Sequence, residues 1–451
     1  MTPEPTPELL LRLTRPGPRY TSYPTVPLWS RDFPVEAFVE GLQGLRAPSS
    51  VYVHVPFCKE QCTFCGCNMV VSGRRDSGTR YLDELERQVE ALPLAQESVE
   101  VVRIHLGGGT PTWLEPQDLE RLYAIVRRRF KPIEGAELSV EADPEVTTDE
   151  QVDTLAALGV TRLSMGVQSF DPVVLAAVNR PQEHTRVHAI MERCRSLGMG
   201  SLNLDLMTGL PHQTLERFED TLAKTLEMRP DRLAIFGYAH VPWLKAHQKK
   251  LDAAALPGPV ERVELFLMAH RVLLEQGYQA IGMDHFALPD DELAVAQRAG
   301  ALHRNFMGYT TRPDVELVGL GMSAISELRD VYVQLEPKLS RWWKADGRMA
   351  IERGCVLTAE DRLRREVINR LMCNGVLPFA AVEQSHGIEF ARHFAGELND
   401  LSELEGQGLV ERHSDRLQLS PLGKLLVRNV AMVFDPSLKQ KSATPRFSQT
   451  V

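Results

Sequence analysis

The chain has 451 residues, of which 43% are hydrophobic, and this is enough for one large domain with appended segments. Its net charge of −9 at pH 7 argues against general nucleic-acid binding. No apolar run reaches the roughly 18 residues that a membrane-spanning helix needs, so we expect no membrane span. The seven cysteines are odd in number and follow no secretory signal peptide, which is typical of a reducing cytosol.

Residues 1–45 are expected to form an N-terminal arm. Residues 15–25 contain three prolines and a glycine, which disfavour a helix, together with two arginines and two tyrosines. These side chains could contact a flat anionic ligand, or the arm could fill a groove on the surface. The residues leave both interpretations open.

The most informative stretch follows a predicted strand at residues 51–55. Cys58, Cys62 and Cys65 have C-x3-C-x2-C spacing, and Cys67 follows two residues later. Thiolates on a loop bind iron or zinc, and three of them can hold a [4Fe–4S] cluster while its fourth iron stays open to a ligand. A structural zinc site usually needs two separated pairs of ligands, and a disulfide fits poorly with an odd number of cysteines. Both remain as weaker alternatives.

Strand and helix patterns alternate from residue 51 to residue 283. The predicted strands are 51–55, 101–106, 137–140, 161–167, 201–206, 231–236 and 279–283, and the predicted helices lie near 80–92, 116–130, 149–158, 172–178, 184–197, 215–228 and 260–276. Because each parallel crossover needs a covering helix, the pattern predicts an α/β fold with a parallel sheet. No glycine-rich dinucleotide fingerprint follows the first strand, and polar residues follow almost every strand. Both features favour a partial barrel over residues 46–300 rather than a doubly wound sheet.

A barrel places its active site at the carboxyl ends of its strands, and the candidate residues follow those ends here. In chain order they are Gly108, Gly109, Thr110, Glu141, Gln168, Arg180, Asp205, Ala239 and residues 284–286. The glycine run at 107–109 lets a ligand approach the backbone, and Glu141 can bind a ribose or an ammonium group. Asp143 precedes a proline and is better explained as a helix cap.

Residues 301–350 are expected to connect the barrel to a mostly helical C-terminal domain at 351–451. Two short strand-like runs near 409–419 follow helices, as in a winged-helix domain. Acidic and basic residues are balanced between residues 401 and 440, so this region lacks a face that could track phosphates. We therefore prefer a lid over the barrel mouth to a DNA-binding role.

The cysteine spacing, with Phe64 directly before Cys65, resembles the radical S-adenosylmethionine (SAM) superfamily. A longer set of residues resembles one family of that superfamily, the oxygen-independent coproporphyrinogen III oxidases. The matching segments are 18–25 in the arm, 52–58 and 65–68. The resemblance implies a partial (βα)6 TIM-like barrel and a [4Fe–4S] cluster on Cys58, Cys62 and Cys65. It also implies SAM, which chelates the open iron and is split by one electron into methionine and a 5′-deoxyadenosyl radical.

The family resemblance also assigns residues to two SAM molecules. The residues that match the binding site for the SAM on the cluster are Tyr52, Gly108, Glu141 and Ile325. The residues that match the second SAM site are Phe64, Gly109, Thr110, Gln168, Arg180, Asp205 and Ala239. Cys67 is not a cluster ligand in this interpretation, and it has either a catalytic role near the substrate or a structural one.

The implied reaction is the oxidative decarboxylation of two propionates of coproporphyrinogen III to the vinyl groups of protoporphyrinogen IX. We expect a cytoplasmic monomer reduced by a one-electron donor of the flavodoxin type, with Arg19 and Arg304 as the first candidates for binding substrate carboxylates. Residues 300–311 resemble a family segment near the second SAM, but Met307 stands where glutamine is expected. The alternatives are a methyltransferase or haem-opening enzyme of the same superfamily, and a non-catalytic haem chaperone.

Overall fold

The computed structural model describes residues 5–74, 76–313, 315–439 and 447–450. Its strands are β1 (Ser49–Val55), β2 (Phe57–Cys58), β3 (Val70–Val71), β4 (Val99–Gly108), β5 (Phe130–Ala142), β6 (Arg162–Gln168), β7 (Ser201–Thr208), β8 (Arg232–Gly237), β9 (Gln279–Gly282), β10 (His285–Ala287), β11 (His303–Asn305), β12 (Gly308–Thr310), β13 (Leu317–Leu320), β14 (Ile325–Leu328), β15 (Val331–Leu335), β16 (Ile351–Val356), β17 (Val376–Pro378), β18 (Val410–Arg412) and β19 (Arg416–Leu419). Its α-helices are α1 (Pro7–Leu13), α2 (Val35–Gln43), α3 (Asp76–Glu90), α4 (Pro116–Arg129), α5 (Asp149–Ala157), α6 (Pro172–Ala177), α7 (His184–Ser196), α8 (Leu215–Glu227), α9 (Pro259–Glu275), α10 (Glu292–Arg298), α11 (Leu339–Trp342), α12 (Ala359–Asn374), α13 (Phe379–His386), α14 (Phe390–His393), α15 (Ala395–Asp400), α16 (Ser402–Gly406), α17 (Pro421–Leu425) and α18 (Val427–Ala431).

The described residues form two compact units, and each unit is assembled from separate parts of the sequence. The sheet unit comprises residues 30–256 and 314–356, and the helical unit comprises residues 1–29, 257–313 and 357–451. This division differs from the linear one that the sequence suggested. Residues 257–300, which were expected to belong to the barrel, group with the C-terminal segment instead.

The sheet unit contains a largely parallel sheet with the strand order β16-β15-β14-β13-β1-β4-β5-β6-β7-β8. The strands from β13 through β1 and β4 to β8 pair in parallel. The strands from β13 to β16 pair antiparallel. Helices α3 to α8 alternate with the parallel strands in sequence, so the predicted α/β architecture with a parallel sheet is confirmed.

The parallel strands are buried along most of their length. Val51, Val53 and Val55 of β1 and Ile104 and Leu106 of β4 have no exposed surface. Because these residues alternate along each strand, they share one face of the sheet, whereas Tyr52, His54, Arg103 and His105 occupy the other face.

One predicted strand has a different role from the one expected. Residues 279–283 were expected to close the series of strand–helix units, but β9 pairs antiparallel with β10 in the helical unit. Only Met283 and Asp284 separate the two strands. A connection of two residues can join antiparallel strands only, because a parallel crossover needs a dozen or so residues. Asp284 and His285 therefore lie at the turn of a hairpin between β9 and β10.

The helical unit is built around α12 and α18 with α1 and α9, and it includes a small antiparallel sheet of β17, β19 and β18. The strand-like runs predicted near 409–419 are confirmed as β18 and β19. An aromatic row joins Phe379, Phe390, Phe394 and Phe434, with neighbouring ring centroids 4.3 to 5.4 Å apart. In the part of the chain that the structure describes, every helix is too short or too polar to cross a membrane.

Candidate functional site

The cysteine loop begins where β1 ends and is fixed at both of its own ends. Cys58 lies in β2, which pairs with β3 on the far side of the loop. Cys62 and Cys65 lie between these strands and are half-buried, whereas Cys67 is exposed. All of them are free thiols, and the Cys67 amide donates a hydrogen bond to Sγ of Cys65 at 3.4 Å.

The donor set of this loop fits an iron–sulfur cluster. Among the described residues, no group of three or more His, Cys, Asp or Glu side chains is arranged around the position of a single metal ion. A cluster that is ligated at three different irons does not require its thiolates to meet at one point, and free thiolates are the ligands it uses. Burial raises the pKa of Cys58 to about 12, so metal loading has to displace its proton.

Arg180 joins the cysteine loop to the end of β5. Its Nη1 donates to Sγ of Cys62 at 3.3 Å and to the Asp143 carboxylate at 3.1 Å. The assignment of Asp143 to a helix cap was wrong. Helix α5 begins further along the chain and is capped by Thr148, whose side chain accepts the backbone N–H of Gln151. Asp143 instead neutralises the guanidinium group beside the cysteine loop.

A second anchor of the cysteine loop was missed by the sequence analysis. Three side chains of residues 245–248, which we name the clasp segment, donate to backbone carbonyl groups of the loop. The contacts are Lys245 Nζ to the oxygen of Cys67 at 3.3 Å, His247 Nε2 to the oxygen of Cys65 at 2.8 Å, and Gln248 Nε2 to the oxygen of Phe64 at 3.1 Å. These residue types have no recognisable spacing, and the chain separation is large, so no sequence signal marks them.

The glycine run at the end of β4 is required by close packing. A Cβ atom at Gly107 would lie 2.9 Å from the Glu141 carboxylate, and one at Gly108 would lie 2.8 Å from the His54 ring. Gly108 also has a φ of +120°, which L side chains rarely adopt. The glycines therefore let two polar side chains meet the backbone of this strand end.

Glu141 is held in an ionised state at this edge. Its Oε2 accepts the Gly108 N–H at 3.1 Å, and its Oε1 lies 3.5 Å from Nε2 of His105. Burial raises the pKa of Glu141, but the hydrogen bonds from His105 and Gly108 outweigh it, and the net pKa is lowered. The side chain remains 46% exposed, so the carboxylate can receive a cationic or hydroxyl-bearing ligand.

Tyr52 and His54 fix the strand beside Glu141. The His105 ring stacks on Tyr52 with centroids 5.8 Å apart. His54 Nε2 lies 2.8 Å from the carbonyl oxygen of Asn68, so it donates there, and Nδ1 accepts the Tyr52 hydroxyl at 3.0 Å. Burial lowers the pKa of His54, which keeps the ring neutral in this arrangement. His105 and His54 were not singled out from the sequence, although His54 lies two residues after Tyr52 and His105 lies three residues before Gly108.

Three further predicted residues surround the cysteine loop. Thr110 Oγ1 lies 3.4 Å from Sγ of Cys58. Phe64 packs against a small apolar cluster that includes Val178 and Tyr238. The carbonyl oxygen of Ala239 accepts a hydrogen bond from Gln248, which also contacts Phe64.

The remaining predicted residues lie on strands of the same sheet unit. Gln168 ends β6 with a φ of +70°, an uncommon value for a residue other than glycine. Asp205 of β7 accepts a hydrogen bond from Asn203 at 2.7 Å. Ile325 begins β14, opposite Gln334. All the residues assigned to SAM or to the cluster thus belong to one unit, and their roles in ligand binding stay predictions.

The residues expected to bind substrate carboxylates belong to the helical unit. Nη2 of Arg19 lies 2.5 Å from Oδ2 of Asp284. The Arg304 guanidinium lies over the ring of Tyr309, with Cζ 4.8 Å from the centroid. Met307 lies in the turn between β11 and β12.

The match to known families agrees with this site. Residues 52–225 match the Radical SAM superfamily, and residues 357–426 match the HemN C-terminal domain. The first match contains the cysteine loop, the glycine run and Glu141, and the fold is that of a radical SAM protein.

Similarity over the whole chain defines the family more closely. The oxygen-independent coproporphyrinogen III oxidase of Salmonella typhimurium is 44% identical over 446 residues, covering 98% of each chain, and that of Escherichia coli is 42% identical over the same length. A solved structure of coproporphyrinogen III oxidase (HemN) from Escherichia coli, described as a radical SAM enzyme, has a TM-score of 0.89 at 42% identity and covers 93% of this chain and 97% of its own. This chain belongs to the oxygen-independent coproporphyrinogen III oxidase family.

Proposed function

We propose that the chain converts two propionate groups of coproporphyrinogen III to vinyl groups, giving protoporphyrinogen IX. The observation that carries this proposal is the 44% identity over 98% of both chains with a relative of that name. A shared superfamily fold alone would not define the substrate, since one fold hosts many activities. Because the full-length relatives are named as oxidases, we do not propose the methyltransferase, haem-opening or chaperone alternatives.

Cys58, Cys62 and Cys65 would hold a [4Fe–4S] cluster, with SAM on its fourth iron. Three free, half-buried thiols on one loop support this assignment. When bound, the cluster and SAM supply a carbon-centred radical that can take a hydrogen atom from an unactivated C–H bond. The Arg180 contact and the clasp segment hold the loop that positions these ligands.

Tyr52, Gly108, Glu141 and Ile325 would hold the SAM on the cluster. Glu141 is suited to the ribose hydroxyls or the ammonium group of SAM, because its carboxylate is ionised and half-exposed. Gly108 leaves the backbone open where a side chain would collide with His54. These residues bind and orient the cofactor and need not titrate during the reaction.

A second SAM would bind Phe64, Gly109, Thr110, Gln168, Arg180, Asp205 and Ala239. Two vinyl groups require two radical events, which two SAM molecules can supply. Arg180 already contacts Asp143 and Cys62, but its Nε is buried without a hydrogen-bond partner among the described residues. That N–H is the part of Arg180 available to a ligand carboxylate.

The chemistry explains why no catalytic base is required. The C–H bond β to a propionate carboxylate is far too weakly acidic for a side-chain base at neutral pH. Once a hydrogen atom is removed there, the side chain loses CO2 and one electron to an acceptor, which leaves a vinyl group. The protein binds and orients the substrate and excludes water. Exposed Cys67, which is not a ligand in this assignment, is proposed to act beside the substrate.

We further infer a cytoplasmic monomer that receives electrons from a one-electron donor of the flavodoxin type. The free state of all seven cysteines supports a reducing compartment. Size-exclusion chromatography with light scattering tests the monomer, and reduction of the reconstituted cluster by a purified flavodoxin tests the donor.

An anaerobic product assay tests the proposed function. The protein is reconstituted with iron and sulfide and supplied with reductant, SAM and coproporphyrinogen III, and products are followed by mass spectrometry. We expect protoporphyrinogen IX, detected after oxidation, together with 5′-deoxyadenosine. Cys62→Ala should form neither product, whereas Cys355→Ala, which lies outside the cysteine loop, should form both. A wild-type protein with an intact cluster that forms no protoporphyrinogen refutes the proposal.

A further inference from the structure

Three arginines and one carboxylate lie in the same part of the helical unit. Arg19 of the N-terminal arm, Arg304 of β11 and Arg428 of α18 form what we name the arginine cluster. Contacts link the members of the cluster. Arg428 donates to the carbonyl oxygen of Gly17, two residues before Arg19, and Arg19 pairs with Asp284. The ring of His285, the next residue after Asp284, lies 5.1 Å from the ring of Tyr309. Tyr309 belongs to the same neighbourhood, because its ring lies under Arg304 and it also acts on Arg428.

The single carboxylate is already used by Arg19. Asp284 is 5% exposed and forms its ion pair with Arg19 at 2.5 Å. Arg304 and Arg428 are only 8% and 5% exposed, and among the described residues neither forms an ion pair with a carboxylate. Arg428 donates to the backbone carbonyl oxygens of Gly17, at 3.1 Å, and Gln449. Two buried guanidinium charges are therefore left without a counter-charge.

The neighbouring titratable groups do not supply that counter-charge. Burial raises the pKa of Tyr309 to about 12 and that of Cys373 to about 12, so both are neutral at pH 7. Burial lowers the pKa of His285, which keeps its imidazole neutral too. Burying a charge without a partner is energetically unfavourable, so this arrangement favours binding of an anion.

Unpartnered donors converge at the same place. Nε and Nη1 of Arg304 and the hydroxyl of Tyr309 have no hydrogen-bond partner in the described part of the chain. These donors are buried, but the cluster is not sealed, because the side chains of Arg19 and His285 are 35% and 23% exposed. A planar guanidinium beside a phenol is a donor set that suits a carboxylate.

We propose that the arginine cluster binds carboxylates of the tetrapyrrole substrate, namely the propionates that are not decarboxylated, with Arg304 and Arg428 as the main ligands. This inference rests on the proposed function, and it changes the expectation from the sequence, in which Arg19 and Arg304 were the first candidates and Arg428 was absent. SAM is the poorer ligand for this cluster, because its one carboxylate is accompanied by an ammonium and a sulfonium group. A tetrapyrrole with four propionates carries only negative charges.

The test is the affinity of the full chain for coproporphyrin III, the stable oxidised form of the substrate skeleton, measured by porphyrin fluorescence. We expect Arg304→Gln to weaken binding about 10- to 100-fold, as the loss of charge-assisted hydrogen bonds implies. Arg370→Gln is the matched control, because Arg370 lies in the same unit and is already paired with Glu366. The control should bind coproporphyrin III as the wild type does. The thermal midpoint of Arg304→Gln should not fall, since an unpaired buried charge is removed.

Equal binding of coproporphyrin III by the wild type and by folded Arg304→Gln overturns the inference. Weaker binding of SAM with unchanged porphyrin binding also overturns it, because the cluster would then serve SAM. If Arg304→Gln does not fold, Arg428→Lys provides the comparison. It keeps the charge but loses the guanidinium fork, and unchanged porphyrin affinity in this variant counts against the proposal. The binding test and the product assay can fail independently. If the variants bind porphyrin more weakly but the wild type forms no protoporphyrinogen, the carboxylate site is supported and the proposed oxidase activity is refuted.

Discussion

The Gly108 amide donates to Oε2 of Glu141 at 3.1 Å, across the neighbouring strands β4 and β5. This bond and the His105 contact hold an ionised carboxylate near the carboxyl end of β5, which lies two strands from β1 in the sheet. The preceding residue, Gly107, leaves the space that the carboxylate occupies. The glycine run and the acidic residue therefore act as one structural element.

Gly107→Ala should lower the affinity for SAM at least about 10-fold. Its Cβ would lie 2.9 Å from the Glu141 carboxylate, so the carboxylate has to move from its place against Gly108. The measurement is equilibrium dialysis of SAM against the reconstituted protein. Gly200→Ala is the matched control, because nothing lies within 4 Å of its added Cβ. Equal SAM affinity in both variants would contradict the role given to Glu141.

Asp205→Asn should reduce the number of SAM molecules bound per chain from two to one. Asp205 is assigned to the second SAM site only, so the SAM on the cluster should remain. Equilibrium dialysis at saturating SAM, with iron content as the measure of cluster loading, gives the count. A wild-type protein that binds one SAM would show that the second site does not exist in this chain.

His247→Ala should release iron faster to a chelator, by about fivefold. The variant loses the hydrogen bond of 2.8 Å to the Cys65 carbonyl, and one such bond contributes about 1 kcal/mol. The rate is followed by the decay of cluster absorbance under anaerobic conditions. Lys249→Ala removes an exposed side chain from the same stretch and should release iron at the wild-type rate. Identical rates for wild type and His247→Ala would show that the clasp segment does not hold the loop.

Glu137→Gln should destabilise the fold in a pH-dependent manner. Burial raises the pKa of Glu137, but Arg103 and Arg162 outweigh it and lower the pKa to about 2. Because the folded pKa lies below the unfolded one, the stabilisation is complete above about pH 4.5 and is lost as the pH falls toward 2. The shift corresponds to about 3 kcal/mol at pH 7. The measurement is the urea midpoint of unfolding at pH 7 and pH 3. The difference in midpoint between wild type and Glu137→Gln should be smaller at pH 3 than at pH 7. The control Glu100→Gln, which changes an exposed residue, should have the wild-type midpoint at both pH values. A constant difference would contradict the pKa assignment.

Local sequence signals predicted the elements well. The strand expected at 161–167 is β6 (Arg162–Gln168), and the helix expected at 184–197 is α7 (His184–Ser196). These elements follow from apolar periodicity and end signals, which are properties of neighbouring residues. Long-range pairing was not predictable in the same way. β13 (Leu317–Leu320) pairs with β1 across more than half the chain, and no local pattern specifies that partner.

In the candidate site, too, local features were predictable from the sequence and long-range contacts were not. The cysteine spacing and the glycine run are local patterns with a chemical meaning, and both were found from the sequence. The sequence did not reveal His105, the clasp segment or Arg428, because each acquires its role from a residue far away in the chain. Asp143 was misassigned since a proline after it suggested a nearby helix start, whereas Arg180 is its partner.

Transfer of deuterium from substrate to cofactor tests the central claim most directly. Coproporphyrinogen III deuterated at the β carbon of its propionates is supplied to the reconstituted protein with SAM and reductant, and 5′-deoxyadenosine is analysed by mass spectrometry. The proposed function predicts one deuterium in 5′-deoxyadenosine for each vinyl group formed, and none when Cys62→Ala is used. Protoporphyrinogen formed with unlabelled 5′-deoxyadenosine would contradict hydrogen abstraction from the propionate, and with it the role assigned to this site.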